Sequence, residues 1–206
     1  MTGPAAPEQS ASPAAARRYG PEVGEPPVLV DPRRWGSLVG LVGGLVFIAS
    51  YSSVLGAAVS TAAWAVGLVL VLAALSAHYV WPVALGPMAR PSRFALATYL
   101  GCVAGELALI SLGSRALTAA GDGELRPALI AAVVGLHFIP FAWAFHERMF
   151  LWLGSLVCVL GASGLLAGAM GVAQAAEAAA VLAGLVMMIV ITAYARGRFA
   201  PRPSRR

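Results

Sequence analysis

Two titratable side chains lie inside long apolar runs of this sequence, Glu106 and His137. A charged carboxylate at the centre of a bilayer costs on the order of 2.5–3.5 kcal/mol on insertion scales. Such a group is expected to face other helices, to be protonated, or to be paired. Thr98, Cys102 and Glu106 follow one another at four-residue spacing, with Gly101 and Gly105 beside them. That spacing lines one face of a helix, and a stripe so polar and small is expected to pack on a neighbour rather than on lipid. His137 is followed three residues later by Pro140. Proline has no N–H, so the carbonyl of Leu136 loses its usual partner and the helix is expected to kink. A free carbonyl, an imidazole and a carboxylate would together line a small wet pocket, suited to a proton relay or a ligand site. The other reading is an interhelical hydrogen bond that only locks the bundle, worth about 0.6 kcal/mol on average. Counted from the ends of their runs, the two residues differ in depth by roughly 6 Å, at about 1.5 Å per residue. Two long side chains can bridge that gap if their helices are neighbours.

The remaining candidates point to less. His78, beside Tyr79 and Trp81, reads as an interfacial side chain, and His146-Glu147-Arg148 as a solvated turn. Cys102 and Cys158 both fall within apolar runs and read as small packing residues, with no metal-ligand spacing around them. There is no HExxH, no GxSxG, no Gly-rich phosphate loop and no DNA-binding pattern. The sequence therefore calls for no metal, no cofactor and no nucleic-acid partner, and it carries no enzyme motif; an intramembrane enzyme, which can use sparse residues, ranks last among the readings.

The elements that must position these residues follow from composition. Of 206 residues, 59% are hydrophobic and 11% are charged, where a soluble domain has about 45–50% and about 25%. A chain this apolar cannot cover its surface with polar groups, but it can set apolar side chains against lipid. A helical span needs roughly 20 apolar residues. Six such segments are expected: Ser37 to Ala57, Val59 to Tyr79, Phe94 to Gly113, Pro127 to Phe145, Phe150 to Met170 and Ala176 to Tyr194. Helix is the form that satisfies every backbone group within its own segment. The fold class expected is therefore an all-α, six-helix transmembrane bundle over residues 34–195. A polar, disordered tail is expected over residues 1–33 and a basic tail over 196–206. The connections are short; Trp81 to Arg93 carries Pro82, Pro87 and Pro91 and is expected to be irregular, and the short loop from Ser114 to Arg126 is expected to make neighbours of the third and fourth helices.

All 14 basic residues are Arg, which suggests a GC-rich bacterial genome. With the N-terminus inside, Arg17, Arg18, Arg33, Arg34, Arg90, Arg93, Arg148, Arg196, Arg198, Arg202, Arg205 and Arg206 fall on the cytoplasmic side. Only Arg115 and Arg126 fall outside. That asymmetry fits the positive-inside tendency, with both termini cytoplasmic in a bacterial inner membrane. Trp35, Tyr79, Trp81, Trp143, Phe145, Phe150, Trp152 and Tyr194 then mark the inner interface. Gly36, Gly40 and Gly44, and likewise Gly164 and Gly168, are spaced for close helix approach. The first set serves either packing within the bundle or a homo-oligomer contact. A repeat of three plus three inverted helices is suggested only by Arg34-Trp35-Gly36 and Arg126-Pro127-Ala128 at the two triplet starts.

The run Gly135-Leu136-His137-Phe138-Ile139-Pro140, with Phe145 and then Phe150-Leu151-Trp152-Leu153-Gly154, resembles a family of small bacterial multi-pass membrane proteins of unknown function. The resemblance covers about 20 residues. It implies a six-helix membrane domain, gives weight to His137 and Pro140, and supplies no activity. The function expected is that of a structural or accessory membrane protein that contacts a partner within the lipid bilayer. The alternative is a small proton-coupled transporter using Glu106 and His137.

Overall fold

The computed structural model describes residues 26–85 and 92–199. Six helices carry the chain: α1 (Pro32–Tyr51), α2 (Ala57–Leu75), α3 (Arg93–Ala120), α4 (Arg126–Ala144), α5 (Arg148–Ala169) and α6 (Ala175–Ala195). No strand occurs among the described residues. All six are long and apolar enough to cross a membrane. The protein is an all-α six-helix bundle of the multi-pass membrane type.

Two helix boundaries depart from the hydropathy pattern. α1 starts at Pro32, with Pro in the first turn, because Asp31 caps it by accepting the backbone N–H of Arg33 at 2.9 Å. The polar tail thus ends before Asp31, and residues 1–25 of it lie outside the described residues. α3 runs past Gly113 to Ala120 and stops at Gly121, which takes the left-handed conformation at φ 88°. The N–H of Gly121 donates to Thr118 O and that of Asp122 to Leu117 O, closing the last turn. Half of the expected Ser114–Arg126 loop is therefore helix. The Pro87 and Pro91 part of the Trp81–Arg93 connection and the tail from 200 onward also lie outside the described residues. Phe199, the last described residue, is partly buried and packs against the core.

α6 is the central element. In its most apolar window 67% of residues are buried, against 6% for α3. A helix apolar all round belongs in a core, and α6 has neighbours on two sides. Val181, Met188 and Ile191 pack with Leu41 and Ile48 of α1 and Ala63 and Ala74 of α2. Ala180, Ala183, Met187 and Val190 pack with Ala131 of α4 and with Met149, Leu153 and Val157 of α5. α3 stands at the rim, against α4. The third and sixth helices thus hold unlike places, which removes the equivalence that an inverted repeat requires.

Glycines let these backbones meet. A methyl group at Gly44 would stand 2.8 Å from Gly184 O, and one at Gly40 would stand 2.6 Å from Ile191 Cδ1. Gly40 and Gly44 therefore face α6 within the chain, and Gly36 alone of that ladder has nothing within 4 Å. Gly164 and Gly168 are likewise filled, by Ala179 with Ala128 and by Leu125. Closest of all are α4 and α5, where Gly135 lies on the Cys158 backbone and Gly161 on Ala132.

Candidate functional site

Antiparallel packing of α3 on α4 places Gly113 against Leu129, Glu106 against His137 and Tyr99 against Phe141. The two intramembrane ionisable groups thus meet: His137 Nδ1 lies 3.4 Å from Glu106 Oε2. Their side chains are 12% and 20% exposed, so the pair sits in the seam rather than in the core. The separation suits an ion pair, but Nδ1 forms no hydrogen bond. The imidazole is walled by aromatic rings. Phe138 lies at 4.1 Å between centroids and Phe141 meets it edge-on at 5.4 Å. Phe145 and Phe150, expected at the interface, join this cluster around Phe141.

The rest of the expected constellation is dispersed. Thr98 and Cys102 are half-buried on the same side of α3 as Glu106. Gly101 and Gly105 have nothing within 4 Å, so the stripe packs on a neighbour along its Thr98–Cys102–Glu106 edge only. Pro140 stands inside α4, which continues as helix through it to Ala144. Both cysteines are free thiols.

A second polar cluster, which hydropathy hid, lies where both ends of the described chain meet. His78 is not interfacial. It is fully buried, as are Asp31 at 2% exposure and Arg34 at 3%. Beyond Leu75 the second helix opens into a single π turn, Ser76–Val80, that carries His78. Arg34 Nη1 donates to the carbonyl of His78 at 2.6 Å and stands 3.4 Å from its Nδ1. Arg34 Nη2 donates to Val83 O at 3.3 Å, and Asp31 Oδ2 is 3.9 Å from Arg34 Nε. Since a guanidinium only donates, His78 Nδ1 is the acceptor and Nε2 carries the proton. Arg33 binds both carboxylate oxygens of Asp31 and donates to Leu85 O at 3.3 Å. Two consecutive arginines thus clamp the 78–85 segment onto the start of α1.

Glu147 and Tyr194 extend this cluster. The tyrosine hydroxyl donates to Glu147 Oε1 at 3.4 Å, and Tyr194 is 3% exposed rather than interfacial. The His146–Arg148 turn is accordingly only partly solvated. Burial pushes the Glu147 carboxyl above its usual range, against the opposing pull of Arg33 and of the Tyr194 bond. By contrast Trp35, Trp81, Trp143 and Trp152, all at this end, are 56–64% exposed, as a headgroup-level belt requires.

Sequence reasoning found the Glu106–His137 pair because an ionisable group in an apolar run is conspicuous. It missed Asp31 and Arg34 because a charge at the edge of a run looks solvated. The usable signal was Asp31-Pro32, a cap followed by a first-turn proline, which draws Arg33 and Arg34 into the helix. No family model, curated protein sequence or solved structure matches this chain.

Proposed function

We propose that the chain is an accessory protein of a bacterial inner membrane, with both termini cytoplasmic, that works by packing α3 against another transmembrane helix. The observation that carries this reading is the state of α3. It rests on α4 while its Gly101 and Gly105 surface stays open. Small residues in membrane helices serve close backbone approach, whereas lipid is met as well by large apolar side chains. The charge asymmetry of the connections supports the orientation. Membership of the family that the Gly135–Pro140 run resembles belongs to the same reading and adds no activity to it.

A photo-reactive side chain placed at Gly101 or Gly105 in intact membranes tests this. The expected result is a discrete protein adduct of one mass, lost when the other glycine is replaced by Leu. Adducts with lipid alone would refute it. An adduct at twice the mass of the chain would name a second copy as the partner.

The 3.4 Å approach of Glu106 and His137 favours a second reading, a small proton-coupled carrier. In a carrier, Glu106→Gln and His137→Ala each abolish transport and leave folding intact. In an accessory protein both only lower thermal stability in detergent.

A further inference from the structure

At the end of the bundle away from the termini, Ser114, Arg115, Thr118 and Ala119 of α3 and Arg126 of α4 line one shallow cleft, of about 360 Å3 and wide open to the surroundings. Among the described residues these are the only two basic side chains at that end. Asp122 and Glu124 stand in the same connection, yet neither guanidinium has a carboxylate within 4.0 Å. Arg126 spends Nε on Gly123 O at 2.9 Å, which leaves both terminal nitrogens without a protein acceptor. Thr118 returns its hydroxyl proton to Ser114 O at 2.8 Å, and the Ser114 hydroxyl makes no bond. The first turn of α4 adds the positive end of its helix dipole.

Depth identifies the surroundings. From Arg93 to Ser114 α3 rises roughly 31 Å, at about 1.5 Å per residue, which matches a hydrocarbon core of about 30 Å. The two turns that run past Gly113 therefore stand in the headgroup layer. Asp122, Glu124 and Glu177 at this end offset the charge overall, but the two guanidinium groups on the cleft can share one anion, and guanidinium forks match phosphate oxygens.

We propose that this cleft binds an anionic phosphate group, held by Arg115 and Arg126 with the Ser114 hydroxyl as a further donor. A phospholipid headgroup and a free phosphate ion share that chemistry, and one experiment separates them. The full chain in mild detergent is titrated with dioctanoyl phosphatidylglycerol, dioctanoyl phosphatidylcholine or inorganic phosphate. Thermal midpoints and bound masses by native mass spectrometry are read. Phosphatidylglycerol should raise the midpoint at low salt and bind at one ligand per chain, with phosphatidylcholine giving a smaller response. In the Arg115→Gln/Arg126→Gln variant its affinity should fall at least tenfold. An Arg196→Gln/Arg198→Gln variant at the opposite end should behave as wild type. A response to inorganic phosphate as strong as that to the lipid supports the site and names the free ion as its ligand. The proposal is overturned if neither phosphate source shifts the midpoint. It is equally overturned if phosphatidylcholine acts as strongly as phosphatidylglycerol, or if the two double variants respond alike. Both arginines are exposed, so their replacement leaves the fold in place; each single variant, weakened about threefold or more, checks this independently.

Discussion

The buried guanidinium of Arg34 needs acceptors more than it needs a counter-ion. Asp31 is 3.9 Å away, while two backbone carbonyls take its terminal nitrogens. Those carbonyls come from the π turn and the segment after it, where the regular helical ladder no longer uses them. Removing one partner of a buried charged cluster costs on the order of 3–5 kcal/mol. Arg34→Ala should therefore lower the unfolding free energy in detergent by about that much, and Arg34→Lys should not restore it, because an ammonium lacks the fork that spans both carbonyls. A loss under about 1 kcal/mol would place the clamp outside the folded core. Glu147 makes a pH prediction. Its carboxyl titrates above the unfolded value because burial disfavours the charge. The stabilisation this implies is complete below the unfolded pKa and is lost as pH rises through the folded one. Glu147→Gln should therefore raise the thermal midpoint at pH 7.5 and leave it unchanged at pH 4. A uniform shift at both pH values would contradict the assignment.

At the scale of elements, α4 and α5 form the tightest pair and α3 the loosest. A methyl group at Gly135 would lie 2.6 Å from Cys158 Cα, so Gly135→Ala should cost about 1–3 kcal/mol through overpacking. Gly101 meets nothing within 4 Å, so Gly101→Ala should be neutral or stabilising by up to about 1 kcal/mol, from helix propensity alone. Chemical unfolding of the two variants compares them; equal losses would mean that α3 is packed as tightly as α5. The six spans were legible because a hydrocarbon slab imposes a length that hydropathy reports directly. Helix ends were not, since Ser114 and Arg115 interrupt the apolar run while the backbone continues to the Gly121 stop. Capping residues mark where a helix ends, and hydropathy marks where lipid ends. At the candidate site the Glu106–His137 meeting followed from depth counting and a short connection. The open face at Gly101 and Gly105 did not, because a stripe of small residues does not say whether its neighbour belongs to the same chain.

For the whole molecule, alternation of six helices brings both ends of the described chain to one end of the bundle. There Val83 touches both Arg34 and the Gly197 turn. That end holds the buried Asp31–Arg34–His78 cluster and the exposed tryptophans, and the other holds Arg115 and Arg126 on their open cleft. An apolar exterior with polar groups gathered at two levels is what a bilayer selects. Embedding and orientation together are therefore the central claim. The direct test is labelling of intact cells by a membrane-impermeant maleimide, in a chain whose Cys102 and Cys158 have been replaced by Ala. Cysteines introduced at Gly121 and Ala173 should label from outside, and those at Ser92 and Glu147 only after the membrane is opened. Labelling in the reverse pattern would overturn the orientation, and labelling of all four in a detergent-free soluble fraction would overturn the membrane bundle itself.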